Sequence, residues 1–346
     1  MYAAVGAAAK RYIFVVTRHN KRFVADSGQA ACGTTHCYVD ARTGALENFN
    51  DKFMEELEKK RILANIFYKS QTAIEDFDNF KWHRNQYKKI DSHKVYSSQA
   101  LAIDVFGFLK NAKAKDLIIN KIFEADGTNW NIDFEFENKD LLNETKHPTQ
   151  LDVKLENENT IIVIECKFTE NDGGTCSQIQ KNKNIKLPQC NGNYELQTNP
   201  VNGKKAFCAL TAKNIEYWNY IPIIYNFYNS KSIYPCPFKN SNYQWMRNLC
   251  TAYVLGKNKN KKSKVFICYA DFNFCPIKQK MDNNYLADIN TNIKNEFSIK
   301  TTTYQKIIEI GILLSKQEEK KSWVELKTWL ENKGTQAAIE LKKKST

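Results

Sequence analysis

Pro148-Thr-Gln-Leu-Asp152-Val-Lys-Leu-Glu-Asn-Glu-Asn-Thr-Ile-Ile-Val-Ile-Glu165-Cys-Lys167-Phe168 is the stretch from which the rest of the chain can be read. Residues 150–156 alternate polar and apolar side chains, whereas Ile161 to Phe168 is a nearly continuous β-branched and apolar run. The first pattern belongs to a strand with one covered face, the second to a strand buried on both. Polar turn residues lie between them, so the two form the arms of an antiparallel hairpin. With the turn centred on Glu158-Asn159, Asp152 falls across from Glu165, their Cβ atoms roughly 5 Å apart. Alternation puts Lys167 on the face of Glu165, and Leu151, Val153, Ile164 and Phe168 on the other.

Three ionisable groups thus converge on one face. Two carboxylates this close repel, and one pKa rises unless a cation lies between them. A hard divalent ion, Mg²⁺ or Mn²⁺, suits such oxygen ligands. The backbone carbonyl of Cys166, between the two charged residues, is a candidate further ligand. An ion held there activates a bound water and polarises a phosphoryl oxygen, and a neighbouring lysine positions that water or offsets developing charge. A surface hairpin with an ordinary salt bridge from Glu165 to Lys167 or Lys154 would use the same residues. However, Glu165 and Lys167 interrupt the most apolar strand of the chain, where charge without a purpose is costly.

Pro148, Asp152 and Glu165-Cys166-Lys167 together resemble the motif of the PD-(D/E)xK nuclease superfamily, which includes restriction-endonuclease-like proteins. The proline stands four residues before the aspartate rather than next to it. The resemblance spans about residues 90–275. It implies a metal-dependent hydrolase of phosphodiester bonds in which Asp152 and Glu165 hold the metal and Lys167 is the catalytic lysine. It also implies an acidic residue on a helix before the sheet, for which Glu75, Asp104 and Glu124 are candidates and Asp104 is preferred. DNA is the expected substrate, ahead of RNA. The alternative is a nucleic-acid-binding protein that keeps the fold without catalysis.

Outward from the hairpin, the fold class is α/β, with a restriction-endonuclease-like core of mixed β-sheet flanked by helices and further helices at both ends. Trp130, Ile132, Phe134 and Phe136 alternate as a strand, and Lys264 to Asp271 reads as a buried strand. Helices are expected near 51–66, 72–89, 97–109 (capped by Ser97 or Ser98), 113–124, 213–228, 241–255, 284–297, 302–316 and 321–333. We expect residues 1–50 to be an extension, 51–283 the nuclease-like domain and 284–346 a C-terminal helical region.

The chain has 346 residues, 42% of them hydrophobic, with 51 Lys+Arg against 38 Asp+Glu and a net charge of +13. That is enough apolar material for a large core, and the basic excess favours an anionic partner such as nucleic acid. Lys257, Lys259, Lys261, Lys262 and Lys264 form one acid-free run, and Lys181, Lys183 and Lys186 another; either suits phosphate contacts or a solvated loop. Gln178 and Arg247 are candidate phosphate contacts too, Arg247 equally a partner for a core carboxylate. A homodimer would allow two active sites to cut two strands. Histidines 83, 93 and 147 lack ligand spacing and read as structural or exposed.

Ten cysteines are too few for a disulfide scaffold, and no secretory signal precedes them. The expected setting is intracellular and reducing, cytoplasmic or, in a eukaryote, nuclear. The acid-poor start with Lys10, Arg11 and Arg18 is also compatible with an organelle transit peptide. No apolar run is long enough for a membrane span. Cys176, Cys190, Cys208 and Cys236 are candidate ligands for an iron–sulfur cluster or Zn²⁺, two of them beside prolines in loops. Cys32, His36 and Cys37 are a weaker cluster, and Cys166 and Cys268 are expected in the core.

Overall fold

A computed structural model describes residues 30–31, 38–39, 47–146, 148–179, 190, 208–226, 236–239 and 241–345. The chain divides into two compact units, Met1–Ala64 and Asn65–Thr346. In the first, Ala30–Ala31 pairs antiparallel with Tyr38–Val39, and helix α1 spans Glu47–Ala64. Cys32, His36, Cys37 and His147 lie outside the described residues, as do Lys181, Lys183 and Lys186.

The second unit is built on a five-stranded mixed sheet of β1 (Asn131–Glu137), β2 (Gln150–Glu156), β3 (Thr160–Lys167), β4 (Lys262–Tyr269) and β5 (Lys300–Thr303), adjacent in that order. Strands β1 to β3 form an antiparallel meander, and β4 and β5 add in parallel. The expected hairpin register is observed, with Val153 opposite Ile164 and Glu156 opposite Ile161. Its cause is local. Asn157 N–H donates to the Thr160 carbonyl (3.0 Å), and the Asn157 side-chain oxygen accepts the N–H groups of Asn159 and Thr160 at 3.0 and 2.8 Å. Such an Asx turn leaves room for only one pairing of the arms.

Every residue of β3 is buried, as its composition requires. One face of the sheet, with Val153, Leu155, Ile162, Ile164 and Phe266, packs on α2, α3, α8 and α9. Helix α2 runs without a break through Ser98–Ala102, a π-helical turn at Ile103–Gly107, and Phe108–Asn111; α3 is Lys115–Phe123, α8 Tyr304–Leu314 and α9 Gln317–Ser345. Ser97 caps α2 by accepting the Ala100 N–H at 3.2 Å. The other face, with Leu151, Ile161, Val163 and Ile267, packs on α4 (Tyr217–Ile224) and α5 (Tyr243–Lys259). Two short helices, α6 (Pro276–Asp282) and α7 (Tyr285–Asn290), precede β5. The expected boundary at 283/284 therefore falls within this unit, since β5 completes the sheet and α8 and α9 cover it.

One local expectation fails, and one strand was not anticipated. Residues 74–97 form turns rather than a helix over 72–89: the Asp76 carboxylate accepts the N–H groups of Asp78 and Asn79 at 3.0 and 3.1 Å, and Arg84 and Ile90 form an isolated bridge. Asp and Asn side chains that bond nearby backbone compete with helix formation. The four-residue strand β5 is too short and polar to stand out in the sequence.

Candidate active site

The end of the sheet that holds the C-terminus of β3 and the start of β2 carries the predicted residues. Glu165 and Lys167 share the face of β3 that packs on α5, each under 5% exposed. Lys167 Nζ donates to Glu165 Oε1 and to Gln244 Oε1, both at 2.9 Å, and lies 5.5 Å from the Trp245 ring centre. Asn248, one helical turn beyond Gln244 on α5, donates to Glu165 Oε2 at 2.6 Å. Burial works against the lysine's charge, but Glu165, Glu170 and Asp152 outweigh it and hold the ammonium above its ordinary range. Neither charged group of this pair is left without partners inside the protein.

Asp152 departs from the simple picture of two carboxylates directly opposed on a flat hairpin. The β2–β3 ladder ends at Val153 and Ile164, and Asp152 Oδ2 accepts the Cys166 N–H at 2.7 Å. The expected alternation breaks at this point: Leu151 enters the α5-side core while Val153 enters the opposite one, so the two do not share a face. Asp152 and Glu165 still border one open cavity of about 340 Å³, which Lys167, His83, Glu170 and Asp172 also line. Burial first, then Glu165 and Glu135, push the Asp152 carboxyl well above its ordinary range.

The sequence does not single out Glu135, a further buried acid at this end of the sheet. It lies in β1 at the one position where the β1–β2 ladder, from Asn131–Glu156 to Glu137–Gln150, skips a pair, opposite Asp152. Its φ of 51° is left-handed, a strained conformation for a non-glycine residue within a strand. Its side chain is buried and bonded to Gln99 Nε2 at 2.6 Å and to His83 Nε2 at 3.3 Å. Among the described residues, ligand atoms of His83, Glu135 and Asp152 lie within 4.8 Å of one another. Burial opposes protonation of His83, but its bond to Glu135 and the fields of Glu135, Asp152 and Glu165 lift its pKa to about 9. His83 was read as structural because the irregular segment that delivers it carries no ligand pattern. Glu135 had a faint signal, a polar position in the Ile132/Phe134/Phe136 alternation aligned with Asp152.

The other candidates take different places. Asp104 is wholly buried at the π-helical turn, where it accepts the Phe67 N–H at 2.6 Å and Lys333 Nζ at 2.5 Å, an internal ion pair to α9. Glu75 and Glu124 pair with Lys110 and Lys300 at the surface. Arg247 meets a core carboxylate, bonding Thr149 and Tyr217 at 3.0 and 2.9 Å beside Glu144 at 3.5 Å. Gln178 lies in a short 3-10 turn, Ser177–Ile179, and accepts Lys213 Nζ at 3.0 Å. Of the 257–264 lysine run, Lys259 and Lys261 bind Glu156. The run sits where Lys262 pairs with Thr160, the far end of β3 from Lys167. Cys166 and Cys268 are in the core as expected.

The carboxylates Glu135 and Asp152, with the imidazole of His83, make a donor set of the hard, oxygen-rich kind that Mg²⁺ and Mn²⁺ take, and Glu165 lines the same cavity with its two oxygens bonded to Lys167 and Asn248. A mixed sheet with an acid–acid–lysine group at one end, between two helical layers, defines a restriction-endonuclease-like α/β protein. The sequence model of one family, described as Restriction Endonuclease associating with ARP, matches residues 29–333. The chain belongs to that family. No curated protein and no solved structure matches it at a significant level. No described helix is long and apolar enough to cross a membrane.

Proposed function

We propose that this protein is a metal-dependent deoxyribonuclease that hydrolyses phosphodiester bonds at Asp152, Glu165 and Lys167. The observation that carries this reading is the lysine ammonium held between Glu165 and Gln244 at the edge of an acidic, open cavity. Asp152 and Glu165, with the Cys166 carbonyl, would hold the divalent ion, with Glu135 and His83 beside Asp152. When bound, the ion supplies a water of lowered pKa and a Lewis acid for the phosphoryl oxygen. Lys167, kept charged and aimed by its two acceptors, orients the attacking water and offsets negative charge as the phosphorane forms. Asn248 and Gln244 hold Glu165 and Lys167 in fixed rotamers, so little reorganisation is needed during reaction. His83, which lines the same cavity and meets Glu135 at 3.3 Å, offers a neutral imidazole nitrogen as a further ligand beside Asp152.

DNA is proposed ahead of RNA on the basic balance of the chain and on the endonuclease family to which it belongs. The family's description names ARP as an associate, and we extend that association to this chain as a partner in its cellular role. The test is cleavage of linear, circular and single-stranded DNA with Mg²⁺ or Mn²⁺, beside Asp152→Ala. Metal-dependent cutting that vanishes in the variant is the expected result. Binding without cutting, under every metal and substrate form, would replace this reading with a catalytically silent DNA-binding protein.

A further inference from the structure

Four cysteines that play no part in the proposed hydrolysis come together beside the α5-side core. Cys176, Cys190, Cys208 and Cys236 are each 7–8% exposed. They arrive from four separate places in the chain, yet backbone hydrogen bonds knit three of those places together. Cys176 N–H donates to the Phe238 carbonyl at 3.3 Å, and Cys190 N–H to the Gln178 carbonyl at 3.0 Å. Cys176 and Cys208 join Cys236 and Phe238 in one buried cluster.

Two of the four sit in matching turns. The Cys176 carbonyl accepts the Ile179 N–H at 3.3 Å, and the Cys236 carbonyl the Lys239 N–H at 3.1 Å. The Gln178 side chain accepts a hydrogen bond from Lys213 Nζ at 3.0 Å, which ties the segment that follows Cys208 to the Cys176 turn.

Their setting differs from that of the ordinary core cysteines. Cys166, Cys250 and Cys268 lie within β3, α5 and β4, where small apolar side chains fill space. The four in question lie in irregular backbone, Cys176 directly before the 3-10 turn Ser177–Ile179 and Cys208 three residues before Thr211–Lys213. Segments with few ladder hydrogen bonds gain most from a cross-link, and a soft ion bound by thiolates supplies one.

We propose that Cys176, Cys190, Cys208 and Cys236 form a tetrathiolate site for a structural Zn²⁺, separate from the oxygen-rich catalytic cavity. An all-sulfur donor set is the soft, closed type that zinc fills, whereas the Asp152 cavity suits a hard ion. The zinc site ties the chain that leaves β3 to the loop before α5. That loop already meets the active-site wall, since Tyr243 and Gln244 N–H groups donate to the Gly174 and Gly173 carbonyls at 2.9 and 2.8 Å. Trp245 closes on Gly173 so tightly that a Cβ there would lie 2.5 Å from the indole.

Metal analysis of the full chain, purified through a chelator wash, should give about one zinc per chain. Cys190→Ser and Cys236→Ser should each lose most of it. Asp152→Ala and Cys275→Ser should keep it, which separates this site from the catalytic one. Because a cysteine variant can fail to fold, wild-type protein reconstituted with Co²⁺ provides a second reading: tetrathiolate binding gives visible d–d bands and sulfur-to-cobalt charge transfer. Zinc absent together with no such bands would overturn the site. Iron with acid-labile sulfide would overturn the zinc assignment.

Discussion

The carboxylate of Asp152 takes the backbone N–H of Cys166 at 2.7 Å, standing in for a carbonyl that a continued β-ladder would have provided. The bond stitches β2 to β3 at the point where the register would otherwise open, and it leaves Oδ1 for the cavity. The carboxylate that opens the site therefore also holds it together. Across β2, the neighbouring ladder skips at Glu135, whose left-handed backbone turns a second carboxylate toward the first. Strain and charge repulsion concentrate at one end of an otherwise regular sheet, where a cation would relieve the repulsion.

Asp152→Asn should stabilise the metal-free protein. The folded-state pKa of Asp152 is raised, so its ionised form is disfavoured, and the penalty is absent when the group is protonated. The penalty grows as pH rises above the ordinary carboxylate range, and asparagine, which still accepts the Cys166 N–H, avoids it. A melting temperature higher by about 2–8 °C at pH 7 is expected. Mg²⁺ should raise the melting temperature of wild type and leave the variant's unchanged. Equal Mg²⁺ shifts in both would remove Asp152 from the metal site.

Lys167→Met should cut cleavage by about 10²–10³-fold while DNA affinity stays within about threefold. Gln244→Ala should cost less, about tenfold, because Glu165 still holds the amine. Single-turnover cleavage, with binding measured in Ca²⁺, separates the two effects. Full activity in the Lys167 variant would take the lysine out of the chemistry.

The buried pair Asp104–Lys333 is a matter of stability. Burial pushes the carboxyl up and the ammonium down, yet the two bond at 2.5 Å. Lys333→Met leaves the carboxylate without its cation and should cost about 3–5 kcal/mol in urea unfolding. Adding Asp104→Asn, which still accepts the Phe67 N–H, should recover most of that loss. If the double variant is no more stable than the single one, the ion pair is not what the lysine contributes.

Acid should loosen the far end of the hairpin first. Burial alone would raise the Glu156 pKa, but its bonds to Lys259, Lys261 and Lys154 outweigh it and bring the value to about 2. A depressed folded-state pKa means the contribution is fully present above the unfolded value, about 4.3, and fades as pH falls from there toward 2. Glu156→Gln should lower stability at pH 7 by about 1–2 kcal/mol after allowance for solvent screening. The gap between variant and wild type should narrow between pH 4.5 and 2, which urea midpoints across that range would show.

The hairpin register, and with it Asp152, Glu165 and Lys167, was legible in the sequence because every cause lies within a few residues. A period of two, a buried β-branched run and an Asn157 turn leave one pairing. Helices such as α2, α3 and α5 were legible for the same reason, their apolar spacing being local. The segment over 72–89 was misread because its turns are set by Asp76 bonding to its own backbone, a competition that apolar spacing does not report.

What only the tertiary structure decided lies between residues far apart. Gln244 reaches Lys167 across 77 residues, Asn248 reaches Glu165 across 83, and His83 reaches Glu135 across 52. Asp104, the acid preferred from its place on the helix before the sheet, meets Lys333, 229 residues away on α9. A backbone pattern fixes which way a side chain points within its own element. Which elements face one another follows from strand order and from how the two cores fill, and that is what sets Asp104 in a buried ion pair and Glu135 beside Asp152.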